Sequence, residues 1–429
     1  MYQGLKNIEI SVVGLGYIGI PTATLFANAG FKVYGYDINK EIIESLNRGV
    51  IHIVEPDLEE LFKKALFSGR LVPTGELVPA DIYIICVPTP IDENKRADLS
   101  HVKKAVEMIL PILKNGNIII LESTVPPGTT KWIERITRDK GFVPNRDIFI
   151  AHCPERVLPG KIVYEFENND RIIGTDSIEA AHLLKAVYSK VVKNGSILIT
   201  KPVVAELCKL VENTYRDVNI ALANELSIIC DELQVDVNEL IELANRHPRV
   251  KILSPGTGVG GHCLAVDPWF IVEKAPGKSR LISTARKVND SKPYWLARKI
   301  IHSIESELKG VKPVIGILGL SYKPDIDDLR ESPSLKIARE LLGKGFKVCV
   351  SEPHVRNKVI EGMVNLPVHE LIEVSQYVVI SVNHSAFRTG DVLKTIAKKK
   401  YFDCVGLMGR EKDVSGNYQN DEKRAAGKD

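Results

Sequence analysis

Apolar and polar positions along this chain follow two periods. Short runs rich in β-branched residues recur at Ile8–Val13, Lys32–Asp37, Ile82–Val87, Ile118–Leu121, Ile148–Cys153 and Arg171–Gly174. Segments with apolar residues three and four positions apart separate them. Runs with little polar alternation suit strands covered on both faces, and the segments between them suit crossover helices. The first such helix is predicted to begin near Ile18 and to close at Gly30. The pattern then changes: after Pro202 no glycine or proline occurs until beyond Leu233. Leu207, Val211, Val218, Leu222 and Leu226 recur there at helical spacing, so a long helix with an apolar stripe is predicted. Helical pattern resumes over 283–308. Strand-like runs return at Val314–Leu320, Lys347–Ser351, Tyr377–Val382 and Tyr401–Val405. The expected architecture is therefore α/β, with two doubly wound parallel-sheet domains, 1–201 and 311–429, joined by a helical region, 202–310, around a long central helix. From about Ser415 the chain is charged and rich in small residues, and a frayed tail is expected.

Composition narrows the classes. The chain has 429 residues, 44% hydrophobic and 26% charged, with a formal charge of +3. That balance, without a basic stripe interleaved with aromatics, gives no argument for nucleic acid. Lys398-Lys399-Lys400 reads as a solvated face. No apolar run approaches the roughly 18 residues of a spanning helix, and the chain enters its first strand without a signal-like apolar region. The seven cysteines form no C-x-x-C pair and are odd in number. They argue against a disulfide framework and against structural zinc, and for a reducing, cytoplasmic setting.

Gly14-Leu15-Gly16-Tyr17-Ile18-Gly19 is a G-x-G-x-x-G that follows a predicted strand and opens a predicted helix. In that context the glycines permit a tight turn and close approach of a pyrophosphate, which the helix N-terminus favours. The domain is therefore expected to be Rossmann-like. Asp37, 23 residues beyond Gly14, ends the next strand. A carboxylate there accepts ribose hydroxyls and repels a 2′-phosphate, favouring NAD over NADP, although Lys40 lies nearby. Thr89 in Val87-Pro88-Thr89-Pro90 and Thr124 in Glu122-Ser123-Thr124-Val125-Pro126-Pro127-Gly128 follow later strands. Both belong on the carboxyl rim, where open parallel sheets hold ligands. Proline turn chemistry alone is the other reading of both.

The strongest candidate for covalent chemistry is Pro255-Gly256-Thr257-Gly258-Val259-Gly260-Gly261-His262-Cys263, with Asp267 four residues on. A thiol in a glycine-rich loop can meet a substrate closely; a buried, inert cysteine in a tight turn is the alternative. Lys209 and Asn213 are four apart and share a helix face, which Asp217 and Asn224 extend and Glu206 precedes. Such a pair can stabilise an oxyanion; a solvated polar stripe is the alternative. Glu155 lies in a site-like loop, Ala151-His152-Cys153-Pro154-Glu155-Arg156. Arg330, in Asp328-Leu329-Arg330-Glu331-Ser332-Pro333, can clamp phosphate or form an ordinary exposed salt bridge.

Taken in order, Gly14-x-Gly16-x-x-Gly19, Ser123-Thr124-Val125-Pro126-x-Gly128, Pro154-Glu155, Lys209-x-x-x-Asn213, Gly260-Gly261-x-Cys263 with Asp267, and Arg330-Glu331-Ser332-Pro333 resemble the UDP-sugar 6-dehydrogenase family. The resemblance runs from Ile8 to about Val405. His262 stands where enzymes acting on UDP-glucose carry serine, and Val266 where they carry lysine. With Asn245-Arg246-His247-Pro248-Arg249-Val250 and Asp267-Pro268-Trp269-Phe270, these departures look like the UDP-N-acetylhexosamine branch, most like that for the manno epimer. The resemblance implies oxidation of a C6 alcohol to a carboxylate by two NAD, with Cys263 forming a thiohemiacetal and then a thioester. It implies that Lys209 and Asn213 stabilise the oxyanion, Asp267 orients Lys209 or water, Glu155 serves as or assists the base, and Thr124 positions water or the hydroxyl. Gly14, Gly16, Tyr17, Ile18, Gly19, Asp37, Thr89, Thr124 and Arg330 would contact NAD. Glu155, Arg156, Val157, Lys209, Asn213, Arg216, His247, Arg249, Gly256, Gly260, Tyr322 and Lys323 would contact the UDP-sugar. The third domain would bind UDP, and the long helix would form the core of a homodimer or higher oligomer.

Two other classes share part of this pattern. Two-electron dehydrogenases of the 6-phosphogluconate or β-hydroxyacid type need neither Cys263 nor a second α/β domain. A non-enzymatic nucleotide sensor would be expected to lose one of Lys209, Asn213, Cys263 and Asp267, and all four are present.

Overall fold

The computed structural model describes residues 7–409 apart from Lys309 and Val311, so the tail expected from Ser415 lies outside the described residues. The chain divides into two compact units. One takes the chain up to Asn219 together with His262–Lys287; the other takes Ile220–Gly261 and the chain from Val288.

The first unit is built on β1 (Glu9–Val13), β2 (Lys32–Tyr36), β3 (Leu71–Thr74), β4 (Ile82–Ile85), β5 (Ile118–Leu121), β6 (Phe149–His152), β7 (Arg171–Thr175) and β8 (Ile197–Thr200). They form one sheet in the order β3-β2-β1-β4-β5-β6-β7-β8. Pairings from β3 to β6 are parallel, as the alternation of runs and helices predicts. β7 departs from that expectation and runs antiparallel to β6. The connection between them carries only the short helix Ile162–Asn168 and returns along the same edge. β3 and β8 escape the apolar pattern because both are outer strands. β3 carries Pro73, which an edge tolerates, and the residues of β8 are half-buried or exposed. Isoleucines and valines of β1, β4 and β5 are buried on both faces, the composition expected of a sheet covered by helices.

The second unit holds β9 (Val314–Leu318), β10 (Lys347–Ser351), β11 (Val359–Ile360), β12 (Met363–Asn365), β13 (Tyr377–Ile380) and β14 (Lys400–Asp403) in the order β11-β12-β10-β9-β13-β14. Only the β11–β12 pairing is antiparallel among its described strands. Buried isoleucines and leucines pack against both faces.

Five helices matter for the site: α1 (Gly19–Asn28), α2 (Thr129–Asp139), α3 (Pro202–Glu232), α4 (Asp267–Lys274) and α5 (Arg280–Glu307). α3 matches the long helix read from the sequence, but its buried side is not the predicted apolar stripe. Val211 is 52% exposed and Leu222 46%, with Leu207, Val218 and Leu226 half-buried. The buried positions include Glu206, Asn213, Thr214, Asp217 and Asn224. A carboxylate removed from water needs compensating donors. Glu206 finds them at the start of α2: its carboxylate accepts from Gly128 N at 2.5 Å, Thr130 N at 2.7 Å and Thr130 Oγ1 at 2.6 Å. No side chain at the Gly128 N-cap does this locally, so Glu206 caps α2 from another helix.

Glu206→Ala removes these acceptors together and leaves buried amides at the start of α2. We expect a loss of about 3 kcal/mol, from the usual magnitudes of a lost cap and unsatisfied donors. Thermal unfolding should report it as a clear drop in midpoint; an unchanged midpoint would show that the cap contributes nothing.

Candidate active site

The candidate loops around Gly14, Asp37, Thr89, Thr124 and Glu155 each follow the carboxyl end of a strand. Gly14 follows β1 with φ of +93°, and a Cβ there would lie 2.9 Å from the Cys86 carbonyl oxygen. A Cβ on Gly19 would lie 1.8 Å from the Gly14 oxygen, so the protein's own packing excludes side chains at both positions. At Gly16 a Cβ would meet no atom within 4 Å. Open space beside the middle glycine is what a pyrophosphate needs. The first turn of α1 has no acidic residue and no side-chain cap, which suits an anion at its amides. Ile18 is its N-cap, and Tyr17 donates its hydroxyl to Glu55 Oε1 at 2.5 Å.

Asp37 stands at the end of β2. Its Oδ2 accepts from Leu15 N and its Oδ1 from Asn39 N, both at 2.9 Å. The carboxylate is thereby aimed, and each oxygen retains acceptor capacity for a ribose hydroxyl. These features fit NAD.

Thr89 and Thr124 meet after β4 and β5: Thr89 Oγ1 donates to the Thr124 carbonyl at 2.6 Å. Behind them lies a buried ionic cluster. Arg171, at the start of β7, places Nη2 2.5 Å from Glu122 Oε1 and Nη1 2.9 Å from Glu155 Oε2. Its guanidinium lies 4.1 Å from the centre of the Phe166 ring. Glu122 also accepts from Thr22 Oγ1 and the Cys86 thiol, both at 3.0 Å. Burial pushes Glu122 up, the Arg171 charge opposes this and Glu155 reinforces it. The structure thus engages Glu155 in an ion pair, and Glu155 Oε1 also accepts from Arg156 N at 2.7 Å. Arg156 pairs with Glu212 of α3, and Val157 packs on the core of this unit.

Cys263 is half-buried just before α4, and its carbonyl accepts from Val266 N at 3.0 Å and Asp267 N at 2.8 Å. Asp267, the first residue of α4, is buried and accepts from Asn213 Nδ2 at 2.5 Å. Burial pushes its carboxyl up to about 6, while the Lys209 charge, the Asn213 hydrogen bond and His262 hold it down. Lys209, Asn213, Asp267 and Cys263 therefore converge where α3 meets the start of α4. Burial raises the thiols of Cys86, Cys153, Cys349 and Cys404. Arg216, on α3, is exposed.

The remaining candidates lie in the second unit. Gly256 N donates to the Asn224 side chain at 2.9 Å. Gly260 has no room for a Cβ, which would lie 2.7 Å from both the Glu331 oxygen and the Tyr322 side chain. Gly261 N donates to the Arg330 carbonyl, while the Arg330 guanidinium faces Asp328. Lys323, His247 and Arg249 are exposed.

Three residues with structural weight here carried no motif: Glu55, Arg171 and Arg286. Arg171 was legible only as an arginine opening an apolar strand. Arg286 sits within an ordinary amphipathic helix pattern, and its isolation from water is a tertiary fact.

Comparison with known proteins agrees with this geometry. The chain is 47% identical over 393 residues to an NDP-N-acetyl-D-galactosaminuronic acid dehydrogenase of Ralstonia nicotianae, covering 89% of this chain and 92% of the other. It is 48% identical over 359 residues to a UDP-N-acetyl-D-mannosamine dehydrogenase of Campylobacter jejuni, covering 81% and 87%. The solved UDP-D-ManNAc dehydrogenase of Pyrococcus horikoshii superposes with a TM-score of 0.87 at 39% identity, covering 95% and 97%. The NAD binding, central and UDP binding domains of one family match residues 8–192, 203–291 and 316–410 in turn, and the chain belongs to that family, the UDP-glucose/GDP-mannose dehydrogenases.

Proposed function

We propose that this dehydrogenase oxidises the C6 alcohol of UDP-N-acetyl-D-mannosamine to the carboxylate, through a covalent intermediate on Cys263. The observation that carries the reading is the convergence of a half-buried thiol, a buried Asp267–Asn213 pair and the Lys209 charge around the start of α4. NAD, when bound at the Gly14–Gly19 turn and Asp37, accepts the hydride of each oxidation. The Cys263 thiolate adds to the C6 aldehyde, forming a C–S bond, and the carbonyl oxygen takes a proton. Loss of a hydride to NAD and of the hydroxyl proton to solvent from that thiohemiacetal leaves a thioester. Water then adds, the C–S bond breaks, and the thiolate leaves with the acid formed. Sulfur suits both ends of this sequence because it is strongly nucleophilic and leaves readily from an acyl group.

Lys209 and Asn213 supply positive charge and an N–H donor for the developing oxyanion, and buried Asp267 orients both. Thr124 holds the hydroxyl or water. Glu155, engaged by Arg171, fixes the 153–158 loop and assists the base from there. The UDP binding domain match supports recognition of the nucleotide by residues such as Tyr322 and Lys323. The division into 1–201, 202–310 and 311–429 belongs to the same reading. So does a homodimer seated on the outward row of α3, where Val211, Tyr215, Leu222 and Ile229 leave apolar surface exposed.

His262, Val266 and the 245–250 segment, with relatives named for the manno substrate, favour that epimer. The Ralstonia relative's name favours the galacto epimer as a second reading of the same chemistry.

NADH formed per sugar consumed, with the manno, gluco and galacto UDP-N-acetylhexosamines and UDP-glucose run separately, decides between these readings. Two NADH with the manno sugar alone is expected; two with another moves the substrate, and one with all four removes the thioester. Cys263→Ser should stop acid formation, and unchanged output would remove the covalent step. Asp37→Ala should weaken NAD binding about tenfold, the loss of roughly one hydrogen bond to a charged group; an equal dissociation constant by fluorescence titration would deny its ribose role.

The buried Asp267 carboxyl binds its proton more tightly folded than unfolded. It therefore disfavours the fold above about pH 6, and that penalty fades as pH falls toward the ordinary carboxylate range. Activity runs the other way, because protonation removes the charge that holds Lys209. kcat/KM should fall as pH drops through about 6, and Asp267→Asn should flatten that limb at a much lower rate. A limb of the same height and position in Asp267→Asn would assign it elsewhere.

A further inference from the structure

One ion pair in the first unit has no role in the chemistry above. Arg286 on α5 and Asp217 on α3 are both fully removed from water, with Nη1 2.5 Å from Oδ1. The same Nη1 lies 3.4 Å from the carbonyl oxygen of Leu264, the residue that follows Cys263. Two charges without water are not kept for stability alone, since an apolar pair of the same volume would commonly serve as well. What an apolar pair lacks is a donor that reaches a backbone oxygen. Leu264 lies between Cys263 and Asp267, in the turn whose first carbonyl already accepts from Val266 N and Asp267 N. Those two bonds hold the turn from its α4 side. Arg286 donates to the next carbonyl of the same turn, and Asp217 prevents the guanidinium from turning away. Asp217 stands one helical turn beyond Asn213, so one face of α3 binds Asp267 through Asn213 and the turn before it through Arg286.

We infer that Arg286, clamped by Asp217, is a positioning residue that fixes the Cys263 turn so that the thiolate captures the aldehyde before it can leave. The inference rests on the proposed role of Cys263. Arg286 is placed to affect capture more than the first oxidation, because it reaches the backbone beside the thiol. A residue needed only for folding would lower both oxidations together.

Arg286→Lys keeps the charge but replaces the planar guanidinium, whose Nη1 meets both Asp217 Oδ1 and the Leu264 oxygen, with a shorter side chain that ends in a compact ammonium. The assay couples NADH and acid output to trapping of free aldehyde by hydroxylamine, with the full-length protein and the sugar that turns over. The wild type should give two NADH per sugar and almost no trapped oxime. Arg286→Lys should retain its first oxidation within about threefold, lose at least tenfold in acid formation and release oxime, so that NADH per sugar falls toward one. Asp217→Asn, which preserves shape, should reproduce this pattern and guards against a lysine variant that folds poorly. Tight two-NADH coupling in both variants overturns the inference. So does an equal loss of both oxidations, since that is the signature of a structural residue. Cys263→Ser separates the two readings: if it still makes acid with two NADH, the covalent reading fails first. If it makes none while Arg286→Lys and Asp217→Asn match wild type, only the positioning role falls.

Discussion

The active-site loops of the first unit depend on a row of polar side chains buried along one face of a single helix. Glu206, Asn213 and Asp217 point from α3 into protein, where each must find a partner or carry a heavy desolvation penalty. Each partner belongs to a different element: the start of α2 for Glu206, the start of α4 for Asn213, and Arg286 of α5, which also reaches the Cys263 turn, for Asp217. The requirement runs both ways. The loops satisfy the helix, and the helix holds the loops to a geometry they could not keep by themselves. A helix whose inward face were leucine would pack as well, yet it would leave amides and carbonyls of these loops without fixed partners.

A second buried network serves the strand ends. Arg171 lies between Glu122 and Glu155, which belong to the segments after β5 and β6, and Thr22 ties the cluster to α1. The cofactor turn, the Thr124 segment and the Glu155 segment are thereby linked through one guanidinium. The charges of both networks are held out of water by burial. Cys263 and Lys209, by contrast, are half-buried. In the proposed mechanism the fully buried charges set geometry and the partly exposed groups do the chemistry.

Asp267 stands between these classes. It is buried like the positioning residues, but burial pushes its carboxyl up to about 6, while the Lys209 charge opposes that rise. The same burial that strengthens its bond to Asn213 makes its ionisation sensitive to pH.

Much of the architecture was legible from the chain. Parallel strands flanked by helices leave continuous apolar runs, so β1, β2, β4, β5, β9, β10 and β13 announced themselves, and the helix from Pro202 could be read from the absence of breakers. The glycine turn, Asp37, the Lys209–Asn213 spacing and the Cys263 loop were readable because each needs particular residue types at fixed local separations. Outer strands with mixed faces, β3 and β8, were not readable, nor was the reversal of β7, because their pairing is decided by neighbours distant in sequence. Nor could periodicity tell which side of α3 faces inward: apolar residues marked one row, and the partners waiting in three separate elements drew in the other. Glu155 paired with Arg171, Glu206 capping a remote helix, and Arg286 reaching Leu264 are contacts across 16, 76 and 22 residues. Local sequence determined which elements form and which chemistry they carry; only the tertiary structure decided which charges lose their water, because that depends on what the rest of the chain packs against them.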